Sequence, residues 1–205
     1  MSSRLPQFPL GSVLLPTMLL PLHVFEPRYR RLVADVGDDG QFGVVLIERG
    51  SEVGVGGENV RASIGVVAKI LRRETLADGR STMLCVGTDR FRVTTWLDDD
   101  PYPIAEIEWL PDLEGAPCSD DAVATMYENF HLCRSVFERH GINTGPAPSF
   151  DPDPAVASFE VAALSPLGEL DRYNLLRVRS ASERVALLGE QLEASAATLE
   201  FRLSS

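Results

Sequence analysis

Three side chains in the first half of the sequence could perform acid–base or nucleophilic chemistry. His23 precedes Glu26 by three residues in PLHVFE, and such a pair could polarise a water molecule or relay a proton. Cys85, in TMLCVGT, would be a nucleophile if a base faced its sulfur. Its apolar neighbours are instead typical of a buried structural cysteine. A small hydrolase that uses His23, Glu26 or Cys85 is kept as an alternative function.

The histidines and cysteines of the second half do not have the spacing of a metal site. His131, Cys133 and His140, with Cys118 upstream, include no Cys-x-x-Cys pair, and His-x-Cys fits no common zinc arrangement. On a helix, the side chains of His131 and Cys133 would point about 200° apart. We therefore predict no metal and no cofactor.

The glycine and lysine content argues against a nucleotide-driven motor or a serine–lysine protease. GVGGEN, in the loop ERGSEVGVGGEN, leads into the strand-like VRASIGVV, whereas a dinucleotide-binding fingerprint opens a helix. Lys69 is the only lysine among 19 basic residues, and it follows no G-x-x-x-x-G-K-[ST] motif. The glycines predict a flexible hairpin loop, with a mobile lip beside a binding groove as the functional alternative.

Charge and cysteine usage restrict the partners and the compartment. The formal net charge is -11 over 205 residues, which disfavours nucleic-acid binding because that function draws on clustered lysine and arginine. Cys85, Cys118 and Cys133 are too few and too scattered for a disulfide framework. We predict a cytoplasmic protein that does not bind nucleic acid.

An uncharged run extends from Phe8 to Phe25 and is close to the length of a membrane-spanning helix. It contains Pro9, Pro16 and Pro21, and each proline costs roughly 3 kcal/mol in a helix interior. Only one basic residue precedes the run and no small-residue cleavage site follows it, so a signal peptide is also disfavoured. We interpret the run as extended chain with prolines at edge or turn positions, and predict no membrane association.

The elements that must position these residues fall into two parts. Residues 1–113 contain about six short apolar or alternating segments, typical of strands in a compact barrel-like sheet. One helix is predicted in EPRYRRLVADVG, because Pro27 suits a first helical position and Gly37 suits a C-terminal cap. Residues 119–205 show helical periodicity, with Ser119 as a cap and Ser180 to Glu183 spaced as a capping box.

Two stretches resemble the substrate-binding (N-terminal) domain of the ATP-dependent Lon proteases, and stand-alone bacterial proteins of that kind in particular. FPLGSVLLPTMLLPLHVFEPRYRRLV resembles the opening of that domain, and LSPLGELDRYNLLRVRSASERVALLGEQLE resembles its helical end. The matching features are a Pro-Leu strand, a Leu-Pro-Leu turn, an aromatic residue before a helix, a leucine pair and a Glu-Arg helix. They correspond here to Pro9-Leu10, Leu20-Pro21-Leu22, Phe25, Leu175-Leu176 and Glu183-Arg184.

The resemblance implies an α+β fold: a mostly antiparallel, PUA-like pseudo-barrel with one short helix, followed by a helical subdomain of three to four helices. It implies recognition without cleavage, since the sequence has neither the P-loop nor the Gly-Pro-Ser-Ala-Gly nucleophile context of a full Lon protease. A PUA-like barrel also leaves an RNA-binding module as an alternative, against which the charge argues.

The function we predict is non-enzymatic binding of unfolded or extended polypeptide segments, with a separate protease or chaperone as a further partner. A sheet edge interrupted by prolines offers apolar side chains and incompletely paired backbone groups, which strand addition requires. The oligomeric state is left open. The predicted peptide-binding residues are Leu20, Leu22, His23, Phe25, Arg28 and Tyr29.

Overall fold

The computed structural model describes residues 3–49 and 60–204. The chain divides into two compact units, Met1–Pro111 and Asp112–Ser205. The predicted glycine-rich loop at 48–59 lies almost wholly outside the described residues, so the proposed hairpin and lip remain predictions. None of the helices within the described ranges is long and apolar enough to cross a membrane.

The first unit contains six strands and one helix. Alternating or continuous apolar side chains give each strand at least one face to bury, which is the pattern expected of a folded sheet. The strands are β1 Ser3–Leu10, β2 Leu19–Val24, β3 Gln41–Arg49, β4 Val60–Thr75, β5 Ser81–Trp96 and β6 Ile104–Trp109, and the helix is α1 Pro27–Val36.

Five of the strands close into a ring and the sixth lies outside it. The sheet order is β2-β5-β4-β3-β1-β6, and β6 pairs again with β5. All pairs are antiparallel except β1 with β3. Because β5 is 16 residues long, its first half pairs with β2 and its second half with β6. The predicted α+β pseudo-barrel is therefore confirmed, and β2 is its edge strand.

Helix α1 follows β2 directly and packs an apolar stripe into the core. Pro27 occupies the first turn and Gly37 ends the helix with φ of 81°, as the sequence predicted. Tyr29, Leu32 and Val33 are buried, since their spacing places them on one face. The helix thereby fixes the chain that leaves the edge strand.

The second unit is entirely helical in its regular structure. Ser119 caps α2, its hydroxyl oxygen accepting a hydrogen bond from the Ala122 N–H at 3.2 Å. The Ser180 hydroxyl accepts one from the Glu183 N–H at 3.3 Å, at the predicted start of the last helix. The helices are α2 Asp120–Arg139, α3 Pro154–Ala163, α4 Glu169–Arg177 and α5 Ala181–Ser204.

A buried arginine holds the second unit together. Arg184 is 0% exposed and forms a bidentate ion pair with Asp112 at 2.8 and 2.7 Å. Its Nε donates to the Ser158 hydroxyl at 2.9 Å and another nitrogen donates to the Ala155 carbonyl at 3.0 Å. The guanidinium also lies 4.1 Å from the ring centre of Phe159. Burial of this charge is tolerated because its donors meet acceptors.

Candidate functional site

The edge strand β2 exposes apolar side chains on one face. Its register with β5 pairs Leu19 with Val86 and Pro21 with Leu84, and the side chain of Leu19 is 55% exposed. Paired residues in a sheet lie on the same face, so Leu19, Pro21 and Leu84 form a contiguous apolar surface. Phe25 extends this surface past the end of the strand and is 47% exposed, its ring centre 6.0 Å from that of His23.

The neighbouring strand β4 adds to the same surface. Leu71 lies at a register shift between the positions opposite Cys85 and Leu84, and its side chain is exposed. Of the seven exposed large hydrophobic residues described in the first unit, six lie on β2, β4, β5 or the segments just after β2 and β4. We call Leu19, Pro21, Phe25, Leu71 and Leu84 the outer apolar face. Contiguous exposed apolar surfaces commonly mark interaction sites.

The opposite face of β2 points into the unit. Leu20 pairs with Cys85 and Leu22 with Met83, and both partners are buried. Leu20 and Leu22 themselves are half-buried, since no strand covers the other edge of β2 within the described residues. These two predicted site residues therefore line the inner side of the open edge rather than the outer apolar face.

The remaining predicted site residues differ in how far they are buried. His23 and Phe25 are exposed, whereas Tyr29 is only 4% exposed and stacks on Phe8 with ring centres 4.1 Å apart. Burial raises the pKa of the Tyr29 hydroxyl. Tyr29 is thus a core residue, and it supports the site only by fixing the start of α1.

Arg28 is already engaged within the protein. Its guanidinium contacts the Glu26 carboxylate at 3.1 Å and lies 4.6 Å from the ring centre of Tyr29. Arg31 pairs with Asp35 in the same helix at 2.9 Å. Both arginines are therefore paired with acidic residues close in the chain. A role for Arg28 as a polar anchor would require it to exchange Glu26 for a ligand.

The hydrolase alternative is not assembled by this geometry. His23 pairs with Thr82 on the outer face of the sheet, whereas Cys85 points to the inner face with 0% exposure. Burial raises the pKa of the Cys85 thiol to about 11, so the sulfur is protonated at neutral pH. Glu26 is occupied by Arg28. The described residues contain no group of three or more histidine, cysteine or acidic side chains that could hold a metal ion.

The helical unit has a pocket of its own. It has a volume of about 260 Å³ and lies between α2, the segment after it and the segment after α3. Arg134 closes one side by donating to the Thr144 and Gly145 carbonyls at 3.2 and 2.7 Å. The pocket is lined by Phe130, Cys133, Arg134, Phe137, Ile142, Thr144, Leu164 and Pro166.

Comparison with known proteins identifies the family. Residues 4–194 match the family described as the ATP-dependent protease La (LON) substrate-binding domain. The chain belongs to this family. The LON substrate-binding domain assignment agrees with the resemblance of the opening and closing stretches of the sequence and with the fold predicted from it.

Solved structures share this fold. The Lon N-terminal domain protein from Xanthomonas campestris is 29% identical, with a TM-score of 0.64 over 94% of this chain and 98% of that chain. The N-terminal domain of Mycobacterium avium complex Lon protease is 20% identical, with a TM-score of 0.61 over 93% and 98% of the two chains. At that identity the second comparison shows the fold alone.

Full-length Lon proteases extend well beyond this chain. Lon protease 2 from Herpetosiphon aurantiacus is 26% identical over 200 residues, which are 96% of this chain but 24% of that protein. The chain thus spans about a quarter of this curated relative. The similarity concerns the LON substrate-binding domain and does not reach the rest of the relative.

Proposed function

We propose that this protein binds extended or unfolded polypeptide segments at the edge strand β2 and the outer apolar face beside it. The observation that carries the proposal is that β2 pairs with β5 alone among the described residues, while apolar side chains flank its open edge. An open edge and apolar side chains on alternate positions are the two elements of strand-type peptide recognition.

The family supports the same function. Its description names substrate binding, and its larger members in the comparison are proteases. We propose that polypeptide is the ligand here and that this chain does not itself break bonds. Supporting this, the only candidate nucleophile raised by the sequence is buried and protonated, and it points away from His23.

The setting of the protein is part of the proposal. Cys85, Cys118 and Cys133 are free thiols, which fits a reducing compartment such as the cytoplasm. A separate protease or chaperone would receive the bound segment. The six predicted residues keep a role in this scheme in different ways: Leu20, Leu22, His23 and Phe25 border the open edge, while Arg28 and Tyr29 hold the helix that follows it.

The test measures binding of a permanently unfolded polypeptide, fluorescently labelled reduced and carboxymethylated α-lactalbumin. Leu19→Asp and Phe25→Asp place a charge on the outer apolar face. Each is expected to weaken binding about tenfold or more, because contact with an apolar ligand would bury an unpaired carboxylate. Leu170→Asp is the matched control, since Leu170 is 70% exposed on the helical unit.

Circular dichroism and urea unfolding establish that all three variants fold. Unchanged binding by Leu19→Asp and Phe25→Asp would remove the site from this face. An equal loss in Leu170→Asp would show that the assay reports non-specific contact, and would count against the proposal as well.

A further inference from the structure

A β-bulge at the start of β2 fixes the hydrogen-bonding register between β2 and β5. Thr17 has φ of 68°, and its N–H donates to the Gly87 carbonyl at 2.8 Å. The Gly87 N–H donates in turn to the Met18 carbonyl at 2.9 Å. Two residues of one strand thus oppose one residue of the other, with the first in the left-handed region, which is a β-bulge.

The bulge determines which backbone groups of β2 face β5. Residues in an antiparallel pair alternate between hydrogen-bonded and non-hydrogen-bonded positions. Counting on from Met18 opposite Gly87, the pairs at Leu20 and Leu22 are hydrogen-bonded to β5. The N–H and C=O groups of Leu19, Pro21 and His23 therefore point away from β5, toward the open edge.

The position of Pro21 is consistent with this alternation of hydrogen-bonded and non-hydrogen-bonded pairs. A proline has no N–H, and within sheets it is confined to positions where that group would point out of the ladder. The open edge consequently offers two N–H donors, from Leu19 and His23, and three carbonyl acceptors, from Leu19, Pro21 and His23. An extended backbone alongside carries the complementary partial charges at the same spacing.

We propose that a bound polypeptide pairs its main chain with this edge as an added strand, and that Pro21 limits what can pair there. The inference rests on the proposed function and specifies how the ligand is held. Leu19 and His23 each exchange both backbone hydrogen bonds with the ligand, whereas Pro21 accepts one and donates none. Side chains of the ligand then extend the outer apolar face.

The proline favours a foreign segment over a second copy of this chain. If two β2 edges paired about their centres, Pro21 would face Pro21 and neither could donate. If the register shifts by two residues, the only pairs that remain are those between Pro21 of each copy and one residue of the other copy, either Leu19 or His23. A segment without proline keeps all the bonds that the edge offers. Pro21 thus disfavours pairing of this edge with the same edge of a second copy, as prolines on edge strands commonly do.

The experiment compares two peptides of nine residues with the same alternating valine and serine sequence and lysine at each end. One is unmodified, and the other is N-methylated at every residue of its central five, which removes donors but leaves it extended and more apolar. The wild-type chain is expected to bind the unmodified peptide at least about tenfold more tightly, because its backbone donors are needed.

A second arm restores the missing donor. Pro21→Val is expected to tighten binding of the unmodified peptide roughly threefold to tenfold, the effect of one added hydrogen bond. The N-methylated peptide keeps its carbonyl acceptors but should gain less, because its methyl groups hold the two backbones apart. The variant should also self-associate more than the wild type in sedimentation velocity. Circular dichroism confirms that it folds.

The outcomes separate this inference from the proposed function. If wild type binds both peptides equally and Pro21→Val gains neither affinity nor self-association, the strand-pairing inference is wrong while apolar binding stands. If the wild type binds neither peptide nor unfolded α-lactalbumin, the proposed function fails with it. Preference for the unmodified peptide, increased in Pro21→Val, supports main-chain pairing.

Discussion

Side-chain direction along β2 decides which residues meet a ligand. His23 faces solvent beside Phe25, whereas Cys85 lies across the sheet in the interior. A nucleophile and a base on opposite faces of one sheet cannot exchange a proton directly. His23 is therefore better explained as a surface residue and Cys85 as a core residue.

The cysteines provide a test at the residue scale. Burial raises the pKa of Cys85 and of Cys133 to about 11, while Cys118 is only partly buried. At pH 8 in the folded protein, we expect Ellman's reagent to label Cys118 alone. All three thiols should react in guanidinium chloride. Cys118→Ser is the control and should leave no rapidly reacting thiol; rapid labelling of Cys85 would indicate an accessible nucleophile and revive the hydrolase.

The buried ion pair of the helical unit provides a second residue-scale prediction. Arg184→Ala removes the buried guanidinium and its hydrogen bonds and leaves a cavity, and the expected loss of unfolding free energy is about 3–5 kcal/mol. Urea unfolding followed by circular dichroism at 222 nm measures it. Arg184→Lys should also destabilise, since an ammonium group cannot replace the bidentate fork.

A surface pair supplies the comparison for this prediction. Arg139 contacts Glu200 on the exposed side of α2 and α5, where solvent screens the interaction. We expect Arg139→Ala to leave the urea midpoint almost unchanged. A similar midpoint for Arg184→Ala and Arg139→Ala would show that the buried network is not important for stability.

At the scale of elements, the contact between β2 and β5 depends on one glycine. A Cβ atom added to Gly87 would lie 2.1 Å from the Leu15 carbonyl oxygen. This oxygen is a backbone atom of a buried residue, so it cannot move aside as a flexible side chain would. Leu15 belongs to the segment that enters the bulge at Thr17. The position and phase of the edge strand therefore rely on the absence of a side chain at Gly87.

Gly87→Ala tests this dependence. We expect it to destabilise the protein by about 1–3 kcal/mol through overpacking and to weaken binding of unfolded α-lactalbumin, because β2 would be displaced. Gly115→Ala is the matched control, since the new Cβ would lie 4.0 Å from the Leu113 carbonyl oxygen, an ordinary van der Waals distance. A Gly87→Ala protein as stable as Gly115→Ala would mean that the bulge adjusts without cost.

At the scale of the whole molecule, the net charge is unevenly distributed along the chain. The residues from Asp112 onward include 15 acidic and seven basic side chains, so they contribute most of the net charge of -11. Charged residues of β4 border the outer apolar face: Lys69 pairs with Val86 and Arg72 with Leu84, on the same side of the sheet as Leu19 and Pro21. Binding there should follow apolar contact and backbone pairing rather than the long-range field.

Salt dependence tests whether apolar contact and backbone pairing dominate binding. Between 50 and 500 mM NaCl, we expect the affinity for unfolded α-lactalbumin to change by less than about threefold, whereas contacts to several phosphates would lose orders of magnitude. Single-stranded RNA should not be retained at either concentration. Salt-sensitive retention of RNA would instead support the nucleic-acid alternative.

The division into units leads to a further prediction. We propose domains at 1–113 and 119–205, and residues 112–205 contain the complete Arg184 network and its apolar core. A fragment of residues 112–205 is expected to unfold cooperatively with the helical signal of four helices. Non-cooperative loss of that signal would show that the helical part cannot fold without the first unit.

Local sequence was enough to predict most elements and the family. Pro27 and Gly37 bounded α1, Ser119 capped α2, and Ser180 accepted the Glu183 N–H at the start of α5, because caps depend on residues close in the chain. The order of strands before helices, with the Lon-like opening and closing stretches, was sufficient for the α+β class.

Tertiary structure alone decided which side chains of the edge are exposed. LLPLHV is apolar at both odd and even positions, so its sequence does not show which face is buried. Pairing with β5 placed Leu20 and Leu22 inside and Leu19 and Pro21 outside. The same non-local pairing left β2 with one edge that no other described strand covers. These features depend on partners far along the chain, and residue patterns within a strand carry no information about them.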